Sequence, residues 1–257
     1  MCIRDSSYTE RVITQVPIIG SRSISEVTKY TPFSNGRSFG GQDSRLNNFT
    51  VDGSQFNNGF GLGAETPAGG RTNSTAISLD AIQEVQVNTA PYDVRQSNFV
   101  GAGINAVTRS GNNEFEGSVY TFWRDNSSTF NGNSVDGREV TVGKFKENIY
   151  GFRIGGPLIK DKLFFFANYE QVRRTEPAQT WYAANRPPSD TFPFAPAIKP
   201  GDLVSRVNYL DMYNLSKFLR DTLGYETGAF ENYDDQTNSD KFLIRLDYNL
   251  AERHRLT

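Results

Sequence analysis

The segment from Phe242 to Leu250 alternates strictly between two kinds of side chain. Its apolar set is Phe242, Ile244, Leu246, Tyr248 and Leu250, and the opposite set includes Arg245, Asp247 and Asn249. Because side chains on a strand repeat every two residues, one face is wholly apolar and the other is charged. Such a strand fits a soluble sheet with a core on one side, or a membrane β-barrel with lipid outside and a wet lumen inside.

The composition excludes several classes of protein. Only 37% of the 257 residues are hydrophobic, and the mean hydropathy is −0.54. The longest strongly apolar run, residues 163–167, is far shorter than the roughly 20 residues of a spanning helix, so a helical membrane protein is excluded. The net charge of −2 gives no electrostatic basis for binding nucleic acid. The 13% aromatic content favours strands and the aromatic girdles of barrels.

Strand-like segments and connections of alternating length fill the second half of the chain. The predicted strands are residues 115–124, 149–155, 163–171 and 241–250. Long connections at 125–144 and 173–239 follow the first and third strands, whereas short turns follow the second (156–162) and the fourth (251–255). Outer-membrane barrels have this order, since their long loops lie outside the cell and their tight turns lie in the periplasm. The order therefore favours a membrane barrel over a soluble sheet.

The second and third predicted strands also have two different faces. On the second, Tyr150, Phe152 and Ile154 lie opposite Gly151 and Arg153. On the third, the apolar face is Leu163, Phe165, Ala167 and Tyr169, and Phe164, Phe166, Asn168 and Glu170 lie opposite. Within the long connection 173–239, prolines prevent a continuous helix or central strand, but residues 202–223 have helical spacing of apolar residues.

Residues 8–111 predict a mixed α/β segment rich in Gly, Asn and Ser. Helices are expected at 25–30 and 79–83, strands at 48–51, 85–87 and 103–108, and a mobile loop at 57–73. Ser78 is the expected N-cap of the second helix. Residues 1–7 begin with Met-Cys-Ile-Arg-Asp-Ser, which resembles a translated sequencing-adapter remnant, so they are excluded from the fold and the chain is expected to be a fragment.

Four motifs together resemble TonB-dependent outer-membrane receptors, most closely the Oar-like subgroup. Residues 47–53 resemble the signature of the plug domain, and residues 78–87 are similar to a later helix-strand element of the plug. Residues 105–117 resemble the junction between the plug and the first barrel strand, and residues 155–166 resemble an early periplasmic turn. The resemblance covers nearly all of residues 20–250, in the family's order.

The resemblance implies an α+β plug domain at 8–111, followed at 112–257 by the first antiparallel transmembrane strands of an incomplete β-barrel. The parent barrel has about 22 strands in this family. It also implies the outer membrane of a Gram-negative bacterium, and import of an extracellular ligand with proton-motive force relayed by TonB and the inner-membrane complex. The resemblance further implies that the ligand is a peptide, a glycan or another large nutrient, and that the charged inward residues Arg153, Glu170, Arg245 and Asp247 line the lumen and hold the plug.

Two other functional classes were weighed against this one. A secreted or surface-attached adhesion or glycan-binding module is the alternative, because it also explains aromatics and long loops. Enzyme chemistry is not expected: the single histidine, His254, provides neither a catalytic triad nor a histidine metal cluster. The glycines at 59–63 and at 101–103 lack the context of a dinucleotide site.

No catalytic, cofactor-binding or metal-binding residue is predicted. A calcium-like spacing at 125–136 lacks the final glutamate of such loops. The acidic residues Glu231, Asp234, Asp235 and Asp240 are expected to lie in a solvated loop.

Overall fold

A computed structural model describes most of the chain. The described residues are 5–15, 22–57, 74–89, 100–126, 134–139, 145–178, 181–185, 203–231, 233–251 and 254–257. Within these ranges, every helix is too short or too polar to cross a membrane. The predicted loop at 57–73, the glycines at 59–63 and residues 127–133 of the calcium-like spacing lie almost entirely outside the described residues.

The N-terminal part is built on a five-stranded sheet with the order β1-β6-β7-β4-β5. Its strands are β1 (Asp5–Thr9), β4 (Asn48–Val51), β5 (Ser54–Gln55), β6 (Ile82–Thr89) and β7 (Ala102–Thr108). The helices are α1 (Glu10–Gln15) and α2 (Ile24–Thr28), and a small hairpin joins β2 (Ser34–Asn35) to β3 (Ser38–Phe39). Strand β7 pairs antiparallel with β6 and parallel with β4.

Apolar side chains from β6, β7 and both helices form the core of this part. Ile82, Val85 and Val87 of β6 are fully buried, with Ala106 of β7 and Val27 of α2. Val85 and Val87 follow the alternation expected of a half-buried strand, and a register shift between Ile82 and Glu84 separates Ile82 from this alternation. Residues 5–7 pair with β6 as part of an edge strand. Excluding residues 5–7 from the fold was therefore wrong, whereas the adapter origin of residues 1–7 stays a prediction.

A second five-stranded sheet, in the order β16-β15-β12-β11-β8, contains the predicted alternating strands. Its members are β8 (Glu116–Asp125), β11 (Lys146–Ile159), β12 (Leu163–Pro177), β15 (Asp234–Ala251) and β16 (His254–Leu256). The connection of β11 to β12, residues 160–162, is short enough only for antiparallel neighbours. The long-short-long-short order of connections is confirmed.

Burial confirms the predicted faces of the strands. Phe242 is 68% exposed and Leu246 is 52% exposed, whereas Asp247, which follows Leu246 and faces the other way, is fully buried. The same holds on β11, where Tyr150 and Phe152 are exposed while Gly151 is buried. On this sheet, the apolar face is therefore exposed and the polar face is covered, which is the reverse of a soluble sheet.

Several predicted boundaries were wrong because the strands continue past the residues that alternate in hydrophobicity. Strand β11 runs through Gly156 to Ile159, so the turn is limited to 160–162. Strand β12 continues past residue 171 to Pro177, and β15 begins at Asp234 rather than at residue 241. The added residues are mostly polar and belong to the predicted long connection. His254 lies in β16 rather than in a turn, because Ala251 and His254 already pair across the two strands.

The helix predictions were correct in position but not in extent. Ser78 caps as predicted, since its Oγ accepts from the N–H of Asp80 at 3.3 Å, but the helix is a single 3₁₀ turn at Leu79–Ala81. Residue 82 already belongs to β6, where β-branched residues favour the strand. In the region 202–223, Val204–Asn208 is a strand (β14), and the helix α3 spans only Tyr209–Leu223.

The chain divides into two compact units. The first comprises Met1–Phe122, Ile149–Val172 and Asn238–Thr257, and the second comprises Trp123–Asn148 and Arg173–Thr237. The second unit contains α3, the parallel pair of β13 (Tyr182–Ala184) with β14, and a short hairpin of β9 (Ser134–Val135) with β10 (Arg138–Glu139). Tyr209 packs there against Phe230, with ring centroids 5.4 Å apart, so this unit has a small core of its own.

Candidate functional site

Within the first unit, polar side chains on the covered face of the second sheet contact the N-terminal α/β part. These contacts form three groups, which we call the Glu170, Arg245 and Glu10 clusters after their central residues. The sheet residues at their centres lie on β12, β15 and β11, where the alternation of side chains along the strand places them on the covered face. The site is an interface between two parts of one compact unit, and its chemistry is hydrogen bonding and ion pairing.

The Glu170 cluster joins three strands to the turn before β6. The Glu170 carboxylate is 1% exposed and accepts from Lys241 Nζ of β15 at 2.8 Å. It also accepts from Tyr120 OH of β8 at 2.9 Å and from Ser78 Oγ at 3.0 Å. Ser78 therefore has two roles, since it caps the 3₁₀ turn and attaches that turn to β12. With three donors, this buried carboxylate is well compensated.

Gly151 allows Tyr120 to reach across a strand. Strand β11 lies between β8 and β12, so Tyr120 must cross β11 to contact Glu170. A Cβ atom at Gly151 would lie 2.2 Å from Tyr120 Cζ and 2.3 Å from its hydroxyl oxygen. The missing side chain at Gly151 thus creates the space in which the tyrosine ring lies.

Gly151→Ala should therefore detach Tyr120 from Glu170. The new methyl group must displace the ring, and the loss of a hydrogen bond to a charged, buried group is expected to cost about 1.5–3 kcal/mol in the free energy of unfolding. The measurement is denaturant unfolding of the complete protein in detergent. Tyr120→Phe removes only the hydroxyl, and we expect the double variant to lose much less than the sum of the two single losses. Additive losses would mean that Gly151 does not act through Tyr120.

The Arg245 cluster attaches β15 to the end of β7. Arg245 Nη1 donates to Thr108 Oγ1 at 2.8 Å and to the Thr108 carbonyl at 3.1 Å. The rest of the guanidinium forms a bidentate pair with Asp247, at 3.0 and 3.1 Å. Asp52, in the turn of the plug-like signature, accepts from both the N–H and the hydroxyl of Thr108. Asp52 thus links residues 47–53 to β15 through Thr108.

The Glu10 cluster attaches the start of α1 to β11. Glu10 Oε1 lies 2.6 Å from Arg109 Nη1 and 3.5 Å from Arg153 Nη2. Arg153 also donates from Nε to Ser118 Oγ at 2.9 Å. Burial alone would raise the pKa of Glu10, but the two arginines outweigh it and hold the pKa below its usual range. Glu10 is therefore ionised at neutral pH.

Apolar and cation–π contacts accompany these polar clusters. Phe166 of β12 is buried in the same core cluster as the side chains of β6. The Arg22 guanidinium forms an ion pair with Asp80 and lies 4.3 Å from the ring centroid of Phe122. The N-terminal part and the sheet thus share one partly apolar interface.

The four charged residues predicted to face inward all lie in these clusters. Their partners were not predicted: Glu10, Asp52, Ser78, Thr108, Arg109, Tyr120 and Lys241. The sequence signal for four of these partners is their location within family-like motifs: Asp52, Ser78, Thr108 and Arg109.

The described residues do not include a grouping of three or more His, Cys, Asp or Glu that would hold a metal ion. The acidic residues expected to share one loop have separate partners. Glu231 accepts from the Ala183 N–H, whereas Asp240 accepts from Tyr169 OH at 2.8 Å.

Comparison with known proteins identifies the family. A family model described as an outer membrane beta barrel domain matches residues 107–257, which is more than half of the chain. The chain belongs to this family. The chain is 35% identical over 138 residues to the TonB-dependent transporter Oar of Myxococcus xanthus, and the match covers 52% of this chain and 12% of that protein. The predicted relationship to Oar-like TonB-dependent receptors is therefore confirmed.

A solved structure with a TM-score above 0.5 agrees with this fold. The outer membrane transporter YddB from Escherichia coli matches 98% of the receptor chain and 31% of its own length, with 15% identity and a TM-score of 0.55. The siderophore receptor PirA from Acinetobacter baumannii matches 66% of the chain and 24% of its own length, with 21% identity and a TM-score of 0.49. The chain thus spans less than a third of the length of these relatives.

The family places the receptor in the outer membrane of a Gram-negative bacterium, as predicted. Its relatives are receptors and transporters rather than enzymes, which agrees with the expectation that the chain has no catalytic function.

Proposed function

We propose that this chain is the plug and the first barrel strands of a receptor that binds an extracellular ligand and imports it with energy relayed by TonB. Residues 8–111 form the plug, and residues 112–257 begin a barrel of about 22 strands, with external loops at 125–144 and 173–239. The partners are TonB with the inner-membrane proton-motive complex, the outer-membrane lipid and an extracellular peptide, glycan or other large nutrient.

The observation that carries this proposal is the contrast between the two faces of β15. Phe242 and Leu246 are exposed, whereas on the other face Arg245 donates to Thr108 at the end of β7 and pairs with the buried Asp247. A soluble sheet would bury the first set and expose the second. Lipid against the first set and a plug against the second explain both.

On all four strands, the exposed apolar face ends in the same way toward the long connections. Toward the long connections, the last outward apolar residue of each strand is aromatic: Trp123, Tyr150, Tyr169 and Phe242. The next outward positions are polar: Asp125, Asn148, Gln171 and Asp240. Aromatic residues followed by polar ones are typical of the membrane–water interface of a barrel. The apolar stretch 242–250 also has about the 9–11 residues that a tilted strand needs to cross.

The three polar clusters give the plug an attachment that can be reversed. Ion pairs and hydrogen bonds exchange readily with water once they become accessible, and exposed pairs contribute little net stability. Glu10 is 44% exposed, so the Glu10 cluster is the most accessible of the three, while Glu170 and Asp247 are fully buried. A pulling force from the periplasm would therefore break the Glu10 contacts first.

The alternative, a secreted adhesion or glycan-binding module, finds no support among the relatives, which are transporters and receptors. It also does not explain why the apolar face of β15 is exposed.

Expression of the complete reading frame tests the proposal. We expect a heat-modifiable band in detergent, localisation to outer-membrane fractions, and ligand uptake that stops when TonB is deleted. A protein that is soluble without detergent would contradict the barrel. Uptake that is unchanged without TonB would contradict the energy coupling but not the fold.

A further inference from the structure

A cavity of about 310 Å³ lies beside the Glu10 cluster. Its polar lining includes Glu10, Gln83, Arg109, Ser110, Glu116 and Arg153. A water molecule occupies about 30 Å³ in the liquid, so the cavity has room for a small solute. It adjoins a second, more open cavity that shares Glu10 and Gln83 and is lined by Arg11 and Thr14 of α1.

The two arginines that line this cavity have more hydrogen-bonding capacity than their partners use. A single oxygen, Glu10 Oε1, serves both guanidinium groups. Arg109 Nε and Arg153 Nη1 are buried, and neither has a hydrogen-bond partner among the described residues. A buried charged donor without an acceptor is unfavourable and calls for an explanation. Glu10 alone therefore does not saturate the two guanidinium groups.

We infer that this cavity is a binding subsite for a small solute that carries a carboxylate, and that Glu10 occupies the position of that carboxylate when no solute is bound. Two guanidinium groups favour carboxylate through paired N–H donors. Glu116 on the lining disfavours a multiply charged anion such as phosphate, but it favours a solute that also carries an ammonium group, such as a peptide terminus. Glu10 can leave because its side chain is 44% exposed.

The role of this subsite in uptake rests on the proposed function, whereas binding to it does not. A solute that replaced Glu10 would release α1 from β11. Binding is measured on the full-length receptor in detergent without any transport, so failure of the two proposals can be told apart.

The test is calorimetric titration of the receptor with diglycine at neutral pH and fixed ionic strength. Glu10→Ala removes the competing carboxylate, and we expect diglycine to bind about tenfold more tightly than to the unmodified receptor. Arg153→Gln in the Glu10→Ala background should reverse that gain. Glu114→Ala is the matched control, because it removes one exposed carboxylate nearby without freeing either arginine, and it should leave the affinity unchanged.

Three results would overturn the assignment. Equal affinity of the unmodified and Glu10→Ala receptors would mean that Glu10 does not occupy the subsite. Equal binding of diglycine and diglycinamide would mean that no carboxylate is recognised. Inorganic phosphate that binds more tightly than diglycine, with the same dependence on Arg153, would assign the cavity to phosphate instead.

Discussion

Leu246→Arg is expected to lower the stability of the membrane-inserted receptor by about 2–4 kcal/mol, which is the cost of an arginine on the lipid face near the bilayer midplane. Leu246 is the central residue of the exposed apolar set on β15 and is 52% exposed, so the substitution disturbs little internal packing. In a soluble sheet, an arginine at this exposed position would have almost no effect. The measurement is denaturant unfolding of the receptor in lipid, followed by the heat-dependent band shift.

Asn238→Arg is the matched control for this experiment. Asn238 lies on the same face of the same strand, but beyond Asp240, where the outward residues have become polar. An arginine near or above the interface is expected to cost about 0–1 kcal/mol. Equal effects of the two substitutions would mean that the boundary between Asp240 and Phe242 is not the edge of the membrane.

The directions of the strand faces could be predicted because they depend only on local alternation. Phe242 to Leu250 has one apolar and one polar face in any antiparallel pairing, and burial confirms which residues share a face. The ends of the strands could not be predicted in this way. Residues 234–240 are polar on both sides, so hydrophobic periodicity gives no signal, and pairing with the neighbouring strand extends β15.

The clusters depend on which strands are neighbours, which local patterns do not contain. Arg245 was predicted to face inward, but its partner Thr108 is 137 residues away in sequence. The contact between Gly151 and Tyr120 is even harder to predict, because it depends on which residues of β8 and β11 lie side by side. A glycine within a strand indicates a close approach, but it does not say which side chain approaches.

The second large effect is expected for Lys241→Met, which should lower the free energy of unfolding by about 3–5 kcal/mol. Lys241 is 9% exposed and its partner Glu170 is 1% exposed, so the substitution leaves a buried carboxylate without its cation. The Ser78 and Tyr120 hydroxyls still donate to Glu170, which favours the lower end of the range. Unfolding in denaturant gives the loss, and limited proteolysis of residues 8–108 reports whether the N-terminal part becomes accessible.

Glu170→Gln in the Lys241→Met background separates an unpaired charge from a loss of packing. The glutamine amide is neutral and its carbonyl oxygen can still accept from Ser78 and Tyr120, so the double variant should recover most of the stability that Lys241→Met loses. If the stability lost in the double variant instead equals the sum of the losses in Lys241→Met and Glu170→Gln alone, the lysine stabilises the sheet through its apolar stem rather than through Glu170. Recovery of stability together with renewed protease resistance would establish that the charge balance at Glu170 holds the N-terminal part against the inner face of the sheet.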